Sequence, residues 1–303
     1  MKVVVVGLGI QGKKRLSIAG EEAVGTVDSV QPAAQFKSIE DVPLDSYDAA
    51  LVCTPDAAKL AILRYLLSHG KHVLVEKPLL GDNPEDLPDL EALARRAGAV
   101  CYTAYNHRFE PHIVNLKKVL DEGRLGKIYS ARFFYGNGTA RDARNSPWRD
   151  KGFGVLPDLG SHLLDTILFL FGAIDGPVKV WRADRFENRA YDRCIFGFHG
   201  GLPVDCEVTM LSWRNSFYAD VYGELGSAHI DCLCKWGPST LTVRTRVLPS
   251  GRPAEESTPL VCADPTWALE YDHFKSLCRA PDTNIANDIW IQAKLDELTA
   301  GLS

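Results

Sequence analysis

The chain has 303 residues, 46% hydrophobic, 24% charged and 9% aromatic, which is ordinary for a globular protein and long enough to bury a core without disulfide or metal staples. Its 34 Lys and Arg against 39 Asp and Glu leave a formal net charge of -5, so no basic surplus invites a phosphodiester backbone, and nucleic acid is not an expected partner. A prior of about 150 residues per domain suggests two domains, and no apolar run reaches the roughly 20 residues of a membrane span, so no membrane partner is expected either.

The first hundred residues alternate β-rich runs with helical stretches, as βαβ units do. A continuous apolar strand over 2–6, with no small-residue cleavage site after it, reads as buried strand rather than signal peptide, and the chain is expected in the cytoplasm. A helix over about 10–19 and strands over 23–27 and 49–53 follow; Thr54 then reads as an N-cap with Pro55 at the first helical position, and Gly70 stops that helix. After a strand over 72–75, Asn83 and Pro84 repeat the cap signal for a helix closed by Gly98, and a strand over 99–104 completes a doubly wound parallel sheet. Beyond Asn106 the texture changes. A helix over 110–122 ends at Gly123, residues 128–135 alternate with a two-residue period, and a helix over about 157–171 ends at Gly172. From 178 to about 247 strand-like runs are joined at His199-Gly200-Gly201 and Leu225-Gly226, turns tight enough to require antiparallel pairing. Two helices, from about 267 and about 287, close the chain. The eight cysteines are scattered through apolar segments and read as small buried hydrophobes; Cys232 and Cys234 form a lone C-x-C without a second pair, so no metal is expected.

Between the first strand and first helix stands Gly7-Leu8-Gly9-Ile10-Gln11-Gly12, a G-x-G-x-x-G string, and Asp28 ends the second strand 16 residues beyond Gly12. That context is the dinucleotide-binding turn of a Rossmann fold. Gly7 permits the tight turn, Gly9 lets backbone N–H groups approach a pyrophosphate, Gly12 lets helix pack on strand, and the helix N-terminus, with Ile10 and Gln11, offers partial positive charge. Asp28 either accepts ribose hydroxyls, repelling a 2′-phosphate, or simply faces solvent. With no Lys or Arg following before Lys37, NAD is favoured over NADP. Lys13, Lys14 and Arg15 read mostly as a solvated helix face, or one of them leans toward the phosphates.

Three further segments carry a resemblance. His72-Val73-Leu74-Val75-Glu76-Lys77-Pro78, with Cys53-Thr54-Pro55-Asp56 before it and Tyr105-Asn106-His107-Arg108-Phe109 after it, resembles the Gfo/Idh/MocA family, named for glucose-fructose oxidoreductase and inositol dehydrogenase. The segment from Gly152 to Asp165 looks like that family's G-G-G-x-L-x-D-x-G-x-H-x-x-D run, and the segment from Asp220 to Ser227 resembles its I-x-G-x-x-G-S hairpin. The resemblance implies an α/β plus α+β architecture: an NAD-binding Rossmann domain over 1–105 and a substrate-binding and oligomerisation domain over 106–303 on an open, mainly antiparallel sheet. It implies a homodimer or homotetramer, because one face of an open sheet needs cover.

The same resemblance implies hydride transfer between nicotinamide and a carbinol or ketone carbon of a sugar, cyclitol or sugar nucleotide. Lys77, Asp158 and His162 are the expected catalytic residues; Asp158 and His162, four apart, share a face of the helix that Pro157 starts. His162 acts as general base, since imidazole titrates near working pH, and Lys77 stabilises the developing alkoxide. Which of the two handles the proton last stays open. Thr54, Pro55, Glu76 and Lys77 are expected at the cofactor, and Asn106, His107, Trp148 and Arg149 at the substrate. Arg108 is either a site residue or an ion-pair partner, and Asp165 either orients an imidazole or faces water or an interface. Arg141 and Arg144 either meet an anionic group or are solvated. Lys59 and Asp56 depart from the family's His and Asn, which bears on the adenosine side of the cofactor, and Phe153 replaces the middle glycine of the run. Two rival functions remain: a non-catalytic dinucleotide sensor, against which the joint presence of Lys77, Asp158 and His162 argues, and an NAD-dependent glycosidase with an internal redox cycle. Lys77, His107, Arg149 and His162 are expected to converge on one cleft.

Overall fold

A computed structural model describes residues 1–146 and 149–302. Its contacts divide the chain into two units, Met1–Asn106 with Thr266–Gln292, and His107–Pro265 with Ala293–Ser303. The linear division at about residue 105 assigned all of the distal chain to the second domain, whereas the segment from Thr266 packs within the first unit.

In the first unit, strands β1 (Val3–Val6), β2 (Ala23–Val27), β3 (Ala49–Val52), β4 (His72–Glu76) and β5 (Cys101–Ala104) form a parallel sheet in the order β2-β1-β3-β4-β5. β1, β3 and β5 are buried at every position, as expected when helices cover both faces and each strand is a continuous apolar run. Helices α1 (Ile10–Ala19), α2 (Asp56–Ser68) and α3 (Asp86–Ala97) link the strands. Val4, Val6, Val52, Leu63, Leu66, Val75 and Leu90 belong to one core cluster, each such side chain contributing about 1.5–3 kcal/mol on burial.

Two expected caps are formed differently. α2 starts at Asp56 with Pro55 at the N-cap and no side-chain cap bond, so Thr54 does not cap it. α3 starts at Asp86, whose Oδ2 accepts the backbone N–H groups of Asp82 and Asn83 at 3.0 and 2.9 Å; the carboxylate inside the turn replaces the amide expected before it. Gly98 closes α3 in the left-handed region, as the sequence predicts.

The second unit is built on an eight-stranded sheet. Helix α4 (Pro111–Asp121) precedes strand β6 (Ile128–Gly136); after a short helix α5 (Ala140–Arg144) and helix α6 (Ser161–Phe171) come β7 (Val178–Asp184), β8 (Arg193–Phe198), β9 (Val204–Thr209), β10 (Ser216–Gly223), β11 (Gly226–Asp231), β12 (Ser239–Thr245) and β13 (Ala254–Leu260). The order is β13-β12-β11-β10-β6-β9-β8-β7, and every pairing is antiparallel except β6 with β9. Along β6 the two-residue period turns Ala131, Phe133 and Tyr135 inward, where the rings of Phe133 and Tyr135 meet those of Phe171 and His162 on α6. The helix expected from Pro157 begins instead with a single wide i→i+5 turn over Leu156–Gly160 before α6 proper. Helices α7 (Thr266–Arg279) and α8 (Ile285–Ala300) end the chain, within two residues of their expected starts.

No helix among the described residues is long and apolar enough to cross a membrane.

Candidate functional site

The strand order reverses direction between β1 and β3, and in an open α/β sheet ligands bind in the crevice outside the strand ends at that reversal. The glycine turn lies at this point. Gly7 has φ +91, and a Cβ on it would lie 2.7 Å from the Cys53 carbonyl oxygen; a Cβ on Gly12 would overlap the carbonyl of Gly7. Both positions therefore exclude any other residue. A Cβ on Gly9 would instead meet nothing within 4 Å, and Gly9 is the N-cap of α1 with no side-chain cap bond. An uncapped helix N-terminus facing open space suits a phosphate.

Asp28 lies against this turn. Its Oδ2 accepts the Leu8 N–H at 2.7 Å and its Oδ1 accepts those of Val30 and Gln31, both at 2.9 Å. Against the upward push of partial burial, the N–H groups of Gln31, Leu8 and Val30 hold the carboxyl below its ordinary range. Three of about four lone-pair sites are thus used, leaving one for a ribose hydroxyl. Thr54 Oγ1 is buried without a hydrogen-bond partner among the described residues, a donor and acceptor ready for a ligand. The uncapped turn, the space at Gly9, Asp28 and Thr54 together fit a dinucleotide.

β4 ends at Glu76, and Lys77 and Pro78 follow, joined by a cis peptide bond. Glu76 is engaged by the protein itself: its Oε1 accepts Arg15 Nε at 2.7 Å, and Arg15 Nη2 donates to Glu270 on α7 at 2.6 Å. Arg15 is 1% exposed, which corrects the reading of residues 13–15 as a solvated face. The reason is helical phase: Gly12, Arg15 and Ala19 share the buried side of α1. Burial disfavours the Arg15 charge, but Glu270 and Glu76 more than offset this and hold it protonated far above any working pH. Trp267 stacks over the same guanidinium at 4.3 Å. Asn106 is also committed within this unit, donating from Nδ2 to Thr266 Oγ1 at 3.0 Å.

In the second unit the expected residues meet. Arg149 Nη2 donates to Asp158 Oδ2 at 3.0 Å, and the His162 ring stacks on that of His107 with centroids 4.4 Å apart and planes 23° apart. Tyr135 packs on both imidazoles: its ring lies edge-on to His162 at 5.8 Å and tilted to His107 at 5.2 Å, and burial, then the charge of Asp158, push its phenol up. Behind it Trp236 stacks on Tyr135 at 5.5 Å. His107 is 0% exposed, so it presents no surface to a substrate; it backs the His162 ring instead. Trp148 lies outside the described residues.

Arg108 and Asp165 form a bidentate ion pair, with N···O distances of 2.7–2.9 Å; Arg108 is thus an ion-pair partner, and Asp165, 0% exposed, meets this guanidinium rather than water. Full burial pushes the Asp165 carboxyl up and Arg108 opposes it. Cys234 is likewise committed, its Sγ and N–H both bonded to the buried Glu110 at 3.3 and 2.7 Å. Among the described residues no group of three His, Cys, Asp or Glu side chains is placed to hold a metal.

Residues 1–105 match the family model described as "Oxidoreductase family, NAD-binding Rossmann fold", and residues 113–229 match the one described as "GFO/IDH/MocA C-terminal domain". The chain belongs to the Gfo/Idh/MocA family. Its first unit is accordingly the NAD(P)-binding Rossmann domain of that family. Among curated proteins it is 29% identical over 216 residues to mouse trans-1,2-dihydrobenzene-1,2-diol dehydrogenase, covering 69% of this chain and 62% of the relative. It is 30% identical over 204 residues to levoglucosan dehydrogenase of Pseudarthrobacter phenanthrenivorans, covering 62% of this chain and 51% of that one. The chain thus spans between half and two thirds of the length of these relatives. Among solved structures, levoglucosan dehydrogenase in complex with NADH superposes with a TM-score of 0.83 at 18% identity, over 99% of this chain and 96% of that one, a likeness of fold.

Two residues at which this Gfo/Idh/MocA chain departs from the family pattern now have a place. Lys59, where the family pattern has His, turns its ammonium to the Pro78 carbonyl at 2.7 Å and to Asp56 at 2.7 Å. Tyr135 and Glu270 were not singled out from the sequence. The period of β6 contains the signal for an inward Tyr135, but nothing local marks Glu270 as the partner of an arginine 255 residues away.

Proposed function

We propose that this chain is an NAD-dependent dehydrogenase or reductase acting on a carbinol or ketone carbon of a sugar, cyclitol or sugar nucleotide. The observation that carries the reading is the second-unit cluster, in which a His162 ring braced by His107 and Tyr135 stands with an Arg149–Asp158 pair. A rigidly backed imidazole is what proton transfer requires, because a general base must meet its proton within about 2.6–3.2 Å. In the alcohol direction His162 takes the hydroxyl proton and Lys77 directs its ammonium at the oxygen on which negative charge develops. Asp158, oriented by Arg149, accepts a hydrogen bond from a neighbouring substrate hydroxyl. A dinucleotide held at the Gly7–Gly12 turn and Asp28 would supply the redox chemistry, taking the carbinol hydride as NAD+ and giving it to the ketone as NADH.

Asp28 supports NAD rather than NADP, since its carboxylate is ionised and would face a 2′-phosphate. One matched relative, 26% identical over 191 residues, is nevertheless a scyllo-inositol 2-dehydrogenase (NADP(+)) of Bacillus subtilis, so both coenzymes belong in the assay. Arg141, Arg144, Phe186 and Glu187 line a cavity of about 430 Å³ on the second unit; Arg141 faces Glu187 at 3.7 Å there, so Arg144 is the cation that supports a substrate bearing an anionic group. All eight cysteines are free thiols, which supports a reducing, cytoplasmic compartment. Tyr129, Tyr218 and Tyr222 on β6 and β10, and Trp181 on β7, are 40–49% exposed, which supports burial of that sheet in a homodimer or homotetramer. The deciding experiment follows NADH absorbance across a panel of polyols, aldoses and sugar nucleotides with NAD and with NADP. Turnover with net NADH formation is the expected result; glycoside cleavage without net NADH, or silence throughout, would overturn it.

A further inference from the structure

The turn Glu76-Lys77-Pro78 is gripped on both flanks by buried cations to which nothing so far assigns a role in the site. On one flank Arg15 of α1 binds the Glu76 carboxylate at 2.7 Å and is itself held by Glu270 at 2.6 Å. On the other, Lys59 of α2 donates from Nζ to the Pro78 carbonyl oxygen at 2.7 Å, with Asp56, one turn earlier on the same helix, as counter-ion at 2.7 Å. Lys59 is 3% exposed.

A buried ammonium costs several kcal/mol of lost hydration, and an apolar side chain of the same volume would fill the space without that cost. Packing alone therefore gives no reason for a lysine. Burial is the largest influence on Lys59 and pushes it below its ordinary range; Lys77 pushes the same way, while Asp56 and Glu76 oppose. The charge of Lys59 is thus felt beside Lys77. What the ammonium does there is geometric: it ties the backbone carbonyl immediately after Lys77, while Arg15 ties the side chain immediately before it. A site whose charged group must stand within about 0.5 Å of its working position needs this kind of support from residues that never touch the substrate.

We propose that Lys59 is a positioning residue that acts through Lys77, fixing the Pro78 carbonyl so that the Lys77 amine leaves the end of β4 in one direction. The proposal rests on the reading of Lys77 as the group that serves the reacting oxygen.

The test is a double-mutant cycle on the full chain, with a second readout that needs no turnover. Lys59→Met is expected to lower kcat about tenfold while the NADH dissociation constant, from fluorescence titration, stays within about twofold; Lys59→Arg, which keeps charge and donor, recovers most of the loss. In a Lys77→Ala background Lys59→Met should cost nothing further, because partners in one network are non-additive. Equal losses in both backgrounds would overturn the proposal. Independently, the rate at which pyridoxal phosphate and borohydride label the Lys77 amine, located by peptide mass analysis, should change severalfold in Lys59→Met and remain near wild type in Lys59→Arg. An unchanged rate in Lys59→Met would overturn it as well. If Lys59→Met does not fold, Lys59→Gln supplies the same comparison. A wild-type chain inert across the whole substrate panel would remove the catalytic reading of Lys77, and the labelling result would still decide whether Lys59 orients it.

Discussion

The two units carry their candidate sites by different means. In the first, the site is made mostly of backbone: a glycine turn that admits no Cβ at two positions, an uncapped helix end, and a strand-end turn clamped by buried charges. In the second it is made of side chains from separate elements, with His107 ahead of α4, Tyr135 on β6, Arg149 in a loop, His162 on α6 and Trp236 beyond β11, held by ring stacking and one ion pair. Backbone sites constrain residues next to one another, so they appear as contiguous strings. Packed side-chain sites constrain residues far apart, and the string shows only their local members.

Substitutions can set the two kinds of site against each other. The largest effect is expected from Glu270→Ala, which leaves the fully buried Arg15 with Glu76 alone and should cost about 3–5 kcal/mol in urea unfolding, as breaking a buried ion pair does. A cost under about 1 kcal/mol would show that the charge network is not what holds α7 in the first unit. Next is His162→Ala, which should lower kcat by about 10²-fold, corresponding to loss of a proton-transfer group, with NADH binding unchanged; retention of full turnover would remove His162 from the mechanism. His107→Phe keeps a ring behind His162 and should reduce kcat by about tenfold at most. A fall as deep as that of His162→Ala would mean that the His107 nitrogens, and not its face, are what the site uses.

The smallest effect concerns Asp28. Its carboxyl titrates below the ordinary 3.8 in the folded chain, so the stabilisation it contributes is present above that value and is lost as pH falls through the lower folded value. Asp28→Asn should therefore flatten the stability curve only below about pH 4, while lowering the preference for NAD over NADP by about tenfold through loss of repulsion from a 2′-phosphate. Thermal melts at stepped pH and kcat/KM for both coenzymes measure the two effects. A coenzyme ratio that does not move would assign Asp28 to bracing the Leu8 turn alone.

Much of the fold and of the first site is legible in the sequence. The parallel and antiparallel halves follow from the spacing of strands and turns, and the glycine turn from its flanks, because period and punctuation are local properties. The errors are equally physical. Charge alone points Arg15 outward, whereas its helical phase turns it inward; Thr54 has the residue type of a cap, whereas the helix begins at Asp56 and leaves that hydroxyl for other use. The family resemblance implies a His107 at the substrate, yet it is entirely buried against another ring.

By itself, then, the sequence determined the fold class, the dinucleotide turn and the family, since each rests on residues whose neighbours in the chain are also their neighbours in space. Only the tertiary structure decided that α7 returns to the first unit to close the charge of Arg15, that Lys59 reaches the turn after Lys77, and that Tyr135 packs its ring against those of His162 and His107. Those pairings join residues that no local pattern connects, and burial, which makes an unpartnered charge or polar group costly, is what selects them.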